Sequence, residues 1–168
     1  MPMVPLVHNT SLREKVASII DREAQHLNRG DRQEIASVVS DLAGSYGMSP
    51  LLILAVIKVE SNFKIKAVSN KDARGLMQVR PIVVREVANE LGLNPHDRQS
   101  LFRHEMNLRV GVHYLASLLR QFHGDVKKAL MAYNAGPTTI ARIYRNRPVP
   151  EGGYQGKVLK VYRGLSNS

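Results

Sequence analysis

The stretch Pro50-Leu51-Leu52-Ile53-Leu54-Ala55-Val56-Ile57-Lys58-Val59-Glu60 decides how this chain folds. Ser49-Pro50 is a helix start, because proline tolerates the first turn of a helix and lacks an N–H that the turn would leave unbonded. The residues after it are apolar nearly all round, which marks a helix enclosed by other helices rather than one lying on a surface. The run Leu51 to Ile57 is far below the roughly 20 residues that cross a bilayer, so it is a core element and not an anchor. A carboxylate, Glu60, stands directly beyond it.

Working outward, helix punctuation recurs at Thr10 or Ser11, at Arg80-Pro81, at Gly124-Asp125 and at Gly136-Pro137. About seven helices are expected. Thr10 to Asn28 and Asp31 to Tyr46 read as two amphipathic helices, with Val16, Ile19, Ile20 and then Ile35, Val38, Val39, Leu42 as buried stripes. Strand-like alternation is weak, so any sheet is confined to a minor hairpin within Lys64 to Met77. The fold class is all-α, with residues 1–48 a helical scaffold belonging to the same domain as a core over 49–168. Asn146 to Gly156, rich in Pro and Gly, reads as an exposed loop.

Composition narrows the function classes. The 168 residues carry 24 Lys+Arg against 14 Asp+Glu, a formal net charge of +10, which concentrates polyanions around the molecule. Nucleic acid, anionic lipid and bacterial cell wall all qualify as partners. No helix concentrates Lys and Arg in a recognition pattern and aromatics are only 5%, which argues against a nucleic-acid binder. The six histidines show no paired ligand spacing, so no catalytic metal site is expected, and they read as surface or helix-end residues. There is no Cys, hence no thiol nucleophile or disulfide framework. Met1 to Leu12 shows no signal-peptide pattern.

Glu60 is the position where the pattern turns chemical. Burial and the negative end of the helix dipole both disfavour its ionised form, which would leave a protonated carboxyl near neutral pH, able to act as a general acid. The bland alternative is a carboxylate that simply emerges at the surface as its helix ends. Context bears on the choice: Glu60-Ser61-Asn62-Phe63 is succeeded by Ser69, by Gly75-Leu76-Met77-Gln78-Val79 and by Ala132-Tyr133-Asn134-Ala135-Gly136. Three ordered motifs, covering Ser49 to Val161, resemble the soluble lytic transglycosylases, whose domain is lysozyme-like.

The resemblance implies a set of roles. Glu60 would be the catalytic acid/base, with Ser69 bonding its carboxyl or the substrate. Gln78 and Asn134 would contact sugar groups. Tyr133 would lie near Glu60, its hydroxyl orienting the carboxyl or steadying charge, and Met77, counted with the substrate-binding residues, would mainly help pack the cleft. Glu151 and Tyr154 resemble the family segment that closes the cleft, although Gly152 stands where the family has Thr. Arg80 stands where the family usually has an apolar residue such as Met. The implied reaction is cleavage of the β-1,4 bond between N-acetylmuramic acid and N-acetylglucosamine in peptidoglycan, without water, to a 1,6-anhydro sugar. Residues 64–80 offer Lys64, Lys66, Lys71, Arg74 and Arg80 as basic contacts to that anionic gel.

Two further readings stay open from the residues alone. Asp72 is the other acid between Glu60 and Arg80, so a hydrolytic muramidase of the goose-type lysozyme kind could use it as base, though its charged stretch reads as a solvated turn with a salt bridge. A non-catalytic wall-binding protein is the other. Each site residue also has a structural alternative: Tyr133 and Met77 as core, Ser61 and Ser69 as caps, Asn134-Ala135-Gly136 as a helix end. A monomer in the periplasm or cell envelope, or secreted, is the expected setting.

Overall fold

The apolar run around Ile53 becomes α3 (Pro50–Ser61), and Ile53, Leu54, Ala55, Val56 and Ile57 are all fully buried. Burying each of the larger of these side chains contributes roughly 1.5–3 kcal/mol, so this one helix anchors the core. The computed structural model describes residues 6–94, 96–145 and 147–167, with side chains from Thr10 onward. Around α3 stand α1 (Leu6–Glu23), α2 (Arg29–Tyr46), α4 (Pro81–Leu91), α5 (His104–Gln121), α6 (Val126–Ala135), α7 (Pro137–Ile143) and α8 (Gly153–Ser166), with a 3₁₀ turn at Gln99–Phe102. The described residues are all-α, with one helix more than the sequence suggests; the His8 side chain and Met1–Pro5 lie outside them.

Local chemistry explains most boundaries. The Asn28 side chain accepts from the Asp31 N–H at 2.8 Å, so α2 begins at Arg29 and Asn28 caps it instead of extending α1. Asp125 caps α6 in the same way through the Lys128 N–H. Gly136, at φ 90°, ends α6 and starts α7, with Pro137 in the first turn. The expected hairpin within Lys64 to Met77 is reduced to isolated bridges, Val68 with Arg74 and Arg74 with Val79. The loop expected over Asn146 to Gly156 stops earlier, because Gly152 and Gly153, at φ 88° and 63°, turn the chain directly into α8.

Two packing contacts position the residues beyond α3. α8 lies along α3, burying Val158 and Leu165. α5 packs against both α4 and α6 and holds the turn 74–78 through one polar residue in its apolar face, Asn107.

Candidate active site

Glu60 is the penultimate residue of α3. The helix is stopped sharply beyond it: Asn62 and Phe63 both adopt positive φ, 49° and 61°, which non-glycine residues rarely do. The Phe63 ring is buried to 1% exposure and so supplies the apolar burial that can hold this backbone. The His26 ring, at Nε2, bonds the Phe63 carbonyl at 3.2 Å and must donate there, since a carbonyl only accepts. His26 thus braces the turn beneath the site while staying at the surface, as expected. His113 departs from expectation: it is buried, between the Tyr46 hydroxyl at 2.8 Å and the Glu90 carboxylate at 2.9 Å.

Burial pushes the Glu60 carboxyl up to about 7 from an ordinary 4.5, against the opposing effect of a hydrogen bond from Tyr154. The Tyr154 hydroxyl donates to Glu60 Oε1 at 2.6 Å. Tyr154 itself is held far above its ordinary value, first by burial and then by the nearby Glu60 charge, so it stays a neutral donor. The hydrogen bond occupies Oε1, which leaves Oε2 as the oxygen able to carry the exchangeable proton. Glu60 opens into a cleft of about 270 Å³ lined also by Ser69, Gln78, Arg80, Tyr133 and Asn134.

The far wall of the cleft is built by backbone clipping. Ser69 Oγ accepts from the N–H groups of Lys71 and Ala73, at 3.2 and 3.1 Å, which fixes the 69–73 turn and leaves the hydroxyl proton to be given away. Gln78, at φ 48°, spends its side-chain NH₂ on the carbonyls of Ala67 and Gly75. Its Oε1 has no partner among the described residues and remains an available acceptor on the cleft wall. Asn134, in the last turn of α6, is exposed beside it.

Three expected roles change. Tyr133 does not bond the Glu60 carboxyl; its hydroxyl donates to the Met77 carbonyl at 2.9 Å, and Tyr154 takes the place at Glu60. Burial, and next the Glu60 charge, keep Tyr133 neutral. Met77 is fully buried and cannot reach a sugar: it packs on α5, where a Cβ at Gly111 would come within 2.6 Å of its sulfur. Glu151 is not brought to the cleft lining, because its side chain is 87% exposed and ion-paired with Lys127. Asp72 is held between Arg74 and Arg98.

One supporting residue escapes sequence reasoning. Asn107 is completely buried; it accepts from the Met77 N–H at 2.8 Å and donates to the carbonyls of Arg74 and Leu101 at 2.7 and 2.8 Å. The clamp requires close approach, and Gly75, at φ 73°, provides it, since a Cβ there would lie 2.3 Å from Asn107 Nδ2. The available signal was an Asn inside the apolar stripe of Leu108, Val110, Val112 and Leu115, a polar group that must find partners once buried.

A family model described as "Transglycosylase SLT domain" matches residues 37–152, which include Glu60, the 69–78 turn, Tyr133 and Asn134. The chain belongs to this family. Among its relatives is "Membrane-bound lytic murein transglycosylase C" of Histophilus somni, 32% identical over 123 residues, which are 68% of this chain and 34% of the relative. The protein of the same description from Sodalis glossinidius is 31% identical over 144 residues, 80% of this chain and 40% of the relative. The chain thus spans about a third to two-fifths of the length of these curated relatives. The solved structure of an inactive Glu-to-Gln mutant of the lytic transglycosylase Slt from Pseudomonas aeruginosa superposes with a TM-score of 0.71. It is 26% identical, over 78% of this chain and 24% of that one.

Proposed function

We propose that this SLT domain cleaves the β-1,4 bond between N-acetylmuramic acid and N-acetylglucosamine in peptidoglycan, leaving a 1,6-anhydromuramyl end, with Glu60 as the single acid/base. The observation that carries this reading is a half-buried carboxyl, protonated up to about pH 7 and opening into a cleft where no second carboxylate is among the lining residues. Two-carboxylate hydrolysis needs a partner acid within about 5–10 Å, free to ionise beside the scissile bond. Asp72, the other acid of this region, is committed to two arginines.

In the proposed reaction the Glu60 carboxyl gives its proton to the glycosidic oxygen as the bond to muramyl C1 breaks, releasing the N-acetylglucosamine 4-hydroxyl. The substrate's own N-acetyl group supports the developing positive charge. Glu60, now ionised and steadied by the Tyr154 hydroxyl, takes the proton from the muramyl C6 hydroxyl. That oxygen closes on C1, and the carboxyl returns to its starting form. A carboxyl poised near 7 suits both halves of this cycle, since an acid and its conjugate base are then both accessible. Ser69, Gln78 and Asn134 would hold the sugars, with the unpartnered Gln78 Oε1 as acceptor and the Ser69 hydroxyl as donor. Residues 1–48 would serve as scaffold for the core over 49–168, and the domain would act as a monomer in the periplasm or elsewhere in the cell envelope.

The relatives are named as murein transglycosylases, and a Glu-to-Gln mutant of one is described as inactive; both support the reading. Digestion of purified peptidoglycan, with mass spectrometry of the products, tests it. Anhydro-muropeptides are expected from the wild type and none from Glu60→Gln. Reducing-end products would refute the proposed ring closure, and turnover retained by Glu60→Gln would refute the role of Glu60.

A further inference from the structure

Five cations crowd residues 64–80 in sequence, yet the fold treats them differently. Arg74 is spent: its guanidinium bonds Asp72 at 2.8 Å, reaches the Arg98 carbonyl at 3.4 Å and lies 5.4 Å from the centre of the Phe102 ring. Lys64 and Lys66 are exposed but are not part of the cleft lining. Lys71 and Arg80 do line it, on the same cleft as Glu60, and neither is in an ion pair among the described residues.

We infer that Lys71 and Arg80 form a carboxylate-binding pair that makes this domain select glycan strands bearing free carboxylates; the inference rests on the peptidoglycan reading above. The charge balance of the cleft is the argument. Two cations face a lining whose one carboxyl, Glu60, is largely uncharged below neutral pH. Asp72, next to Lys71 in the chain, is engaged by Arg74 and Arg98; Glu86 is exposed on α4, where it and Arg80 act in opposite directions on the Tyr114 hydroxyl, which burial pushes up to about 12. It forms no ion pair among those described. Neutral sugars make no use of two like charges on one cleft lining, whereas an anion in that cleft is attracted by both.

Both side chains are exposed, and what the fold fixes is their backbone. The Lys71 backbone is fixed by the Ser69 clip, and Arg80 sits in extended conformation as the residue before α4. Arginine presents a planar fork matched to a carboxylate, and lysine adds a mobile point charge. The carboxylates available on such strands are those of the stem peptide or, where the stem has been removed, the lactyl group of the muramyl residue.

The test compares kcat/KM on soluble strands with free carboxylates against the same strands amidated with carbodiimide and ammonia. Partly exposed charge pairs correspond to about fivefold per cation at most, so a wild-type preference of roughly tenfold is expected, shrinking with added salt. The Lys71→Gln/Arg80→Gln double variant should bring the ratio close to one, and Arg80→Lys should restore part of it. The Lys64→Gln/Lys66→Gln control, equal in charge change but outside the cleft, should keep the wild-type ratio.

No preference in the wild type, or one that survives the cleft variant, overturns the inference. So does equal loss in the control, which would assign the preference to net charge alone. Strands stripped by an amidase identify the source: retained preference points to the lactyl carboxylate, and lost preference to the stem. If the wild type turns over none of these strands, the proposed reaction fails, while cosedimentation of Glu60→Gln with free and amidated strands still decides the pair by binding.

Discussion

Replacing Glu60 by Gln should stabilise the folded protein, increasingly so as pH rises. In the unfolded chain Glu60 ionises near its ordinary 4.5, and in the folded state at about 7, because burial disfavours the charge. Between those values the folded state binds more protons, so the contribution of this group is fully present below 4.5 and is lost as pH rises through 7. At about 1.4 kcal/mol for each tenfold difference in proton affinity, the loss reaches on the order of 3 kcal/mol. Glutamine cannot ionise and does not lose it. Other titrating groups, Glu23 and Glu151 included, are common to both proteins and drop out of the difference.

Urea unfolding of wild type and Glu60→Gln at half-unit steps from pH 4.5 to 8.5 reads this directly. The gap between the two should widen at a slope of about 1.4 kcal/mol per pH unit from roughly pH 5 to 6.5 and flatten above about 7.5. Comparable m-values in the two proteins establish that the same surface is exposed. A gap that stays constant over the whole range would refute the idea of a desolvated carboxyl, and with it the assignment of Glu60 as a neutral-pH acid.

The remaining predictions concern the supports of the site. Tyr154→Phe removes a hydrogen bond that favours the ionised carboxyl, so the Glu60 midpoint should rise above 7 and the alkaline fall of kcat/KM should move to higher pH, as read from a pH-rate profile; a downward move would contradict the geometry at Oε1. Asn107→Ala leaves the Met77 N–H and the Leu101 carbonyl without their partner, while the Arg74 carbonyl keeps the Val79 N–H, and should cost about 2–3 kcal/mol, a fall in Tm of roughly 7 °C by calorimetry, with reduced turnover as the Gln78 turn loosens. Asp72→Asn breaks partly exposed ion pairs and should cost no more than about 1 kcal/mol while leaving kcat within roughly twofold. A loss of two orders of magnitude there would bring back a second catalytic carboxylate.

Sequence by itself determined the elements whose cause is local. An apolar run after Ser49-Pro50 must be an enclosed helix, and a carboxylate at its end must sit where core meets surface; the Asp125 cap and the Gly136-Pro137 break arise from side-chain and backbone chemistry within a few residues. Glu60, Ser69, Gln78 and Asn134 could be read as one site only through the resemblance of their ordered motifs to the soluble lytic transglycosylases, since local chemistry alone left each with a structural alternative. Tertiary structure decided the rest, because it depends on which faces meet. Tyr133 and Tyr154 are both tyrosines at suitable places in the chain, and only the packing of α8 along α3 gives Tyr154 the carboxyl and leaves Tyr133 the Met77 carbonyl. Five cations look alike in a string of letters; one is absorbed by Asp72, two lie outside the cleft lining, and two are part of it. Asn107 acquires its meaning only when α5 meets the 74–78 turn, since a buried amide is defined by the distant backbone groups it satisfies and no neighbouring residue names them.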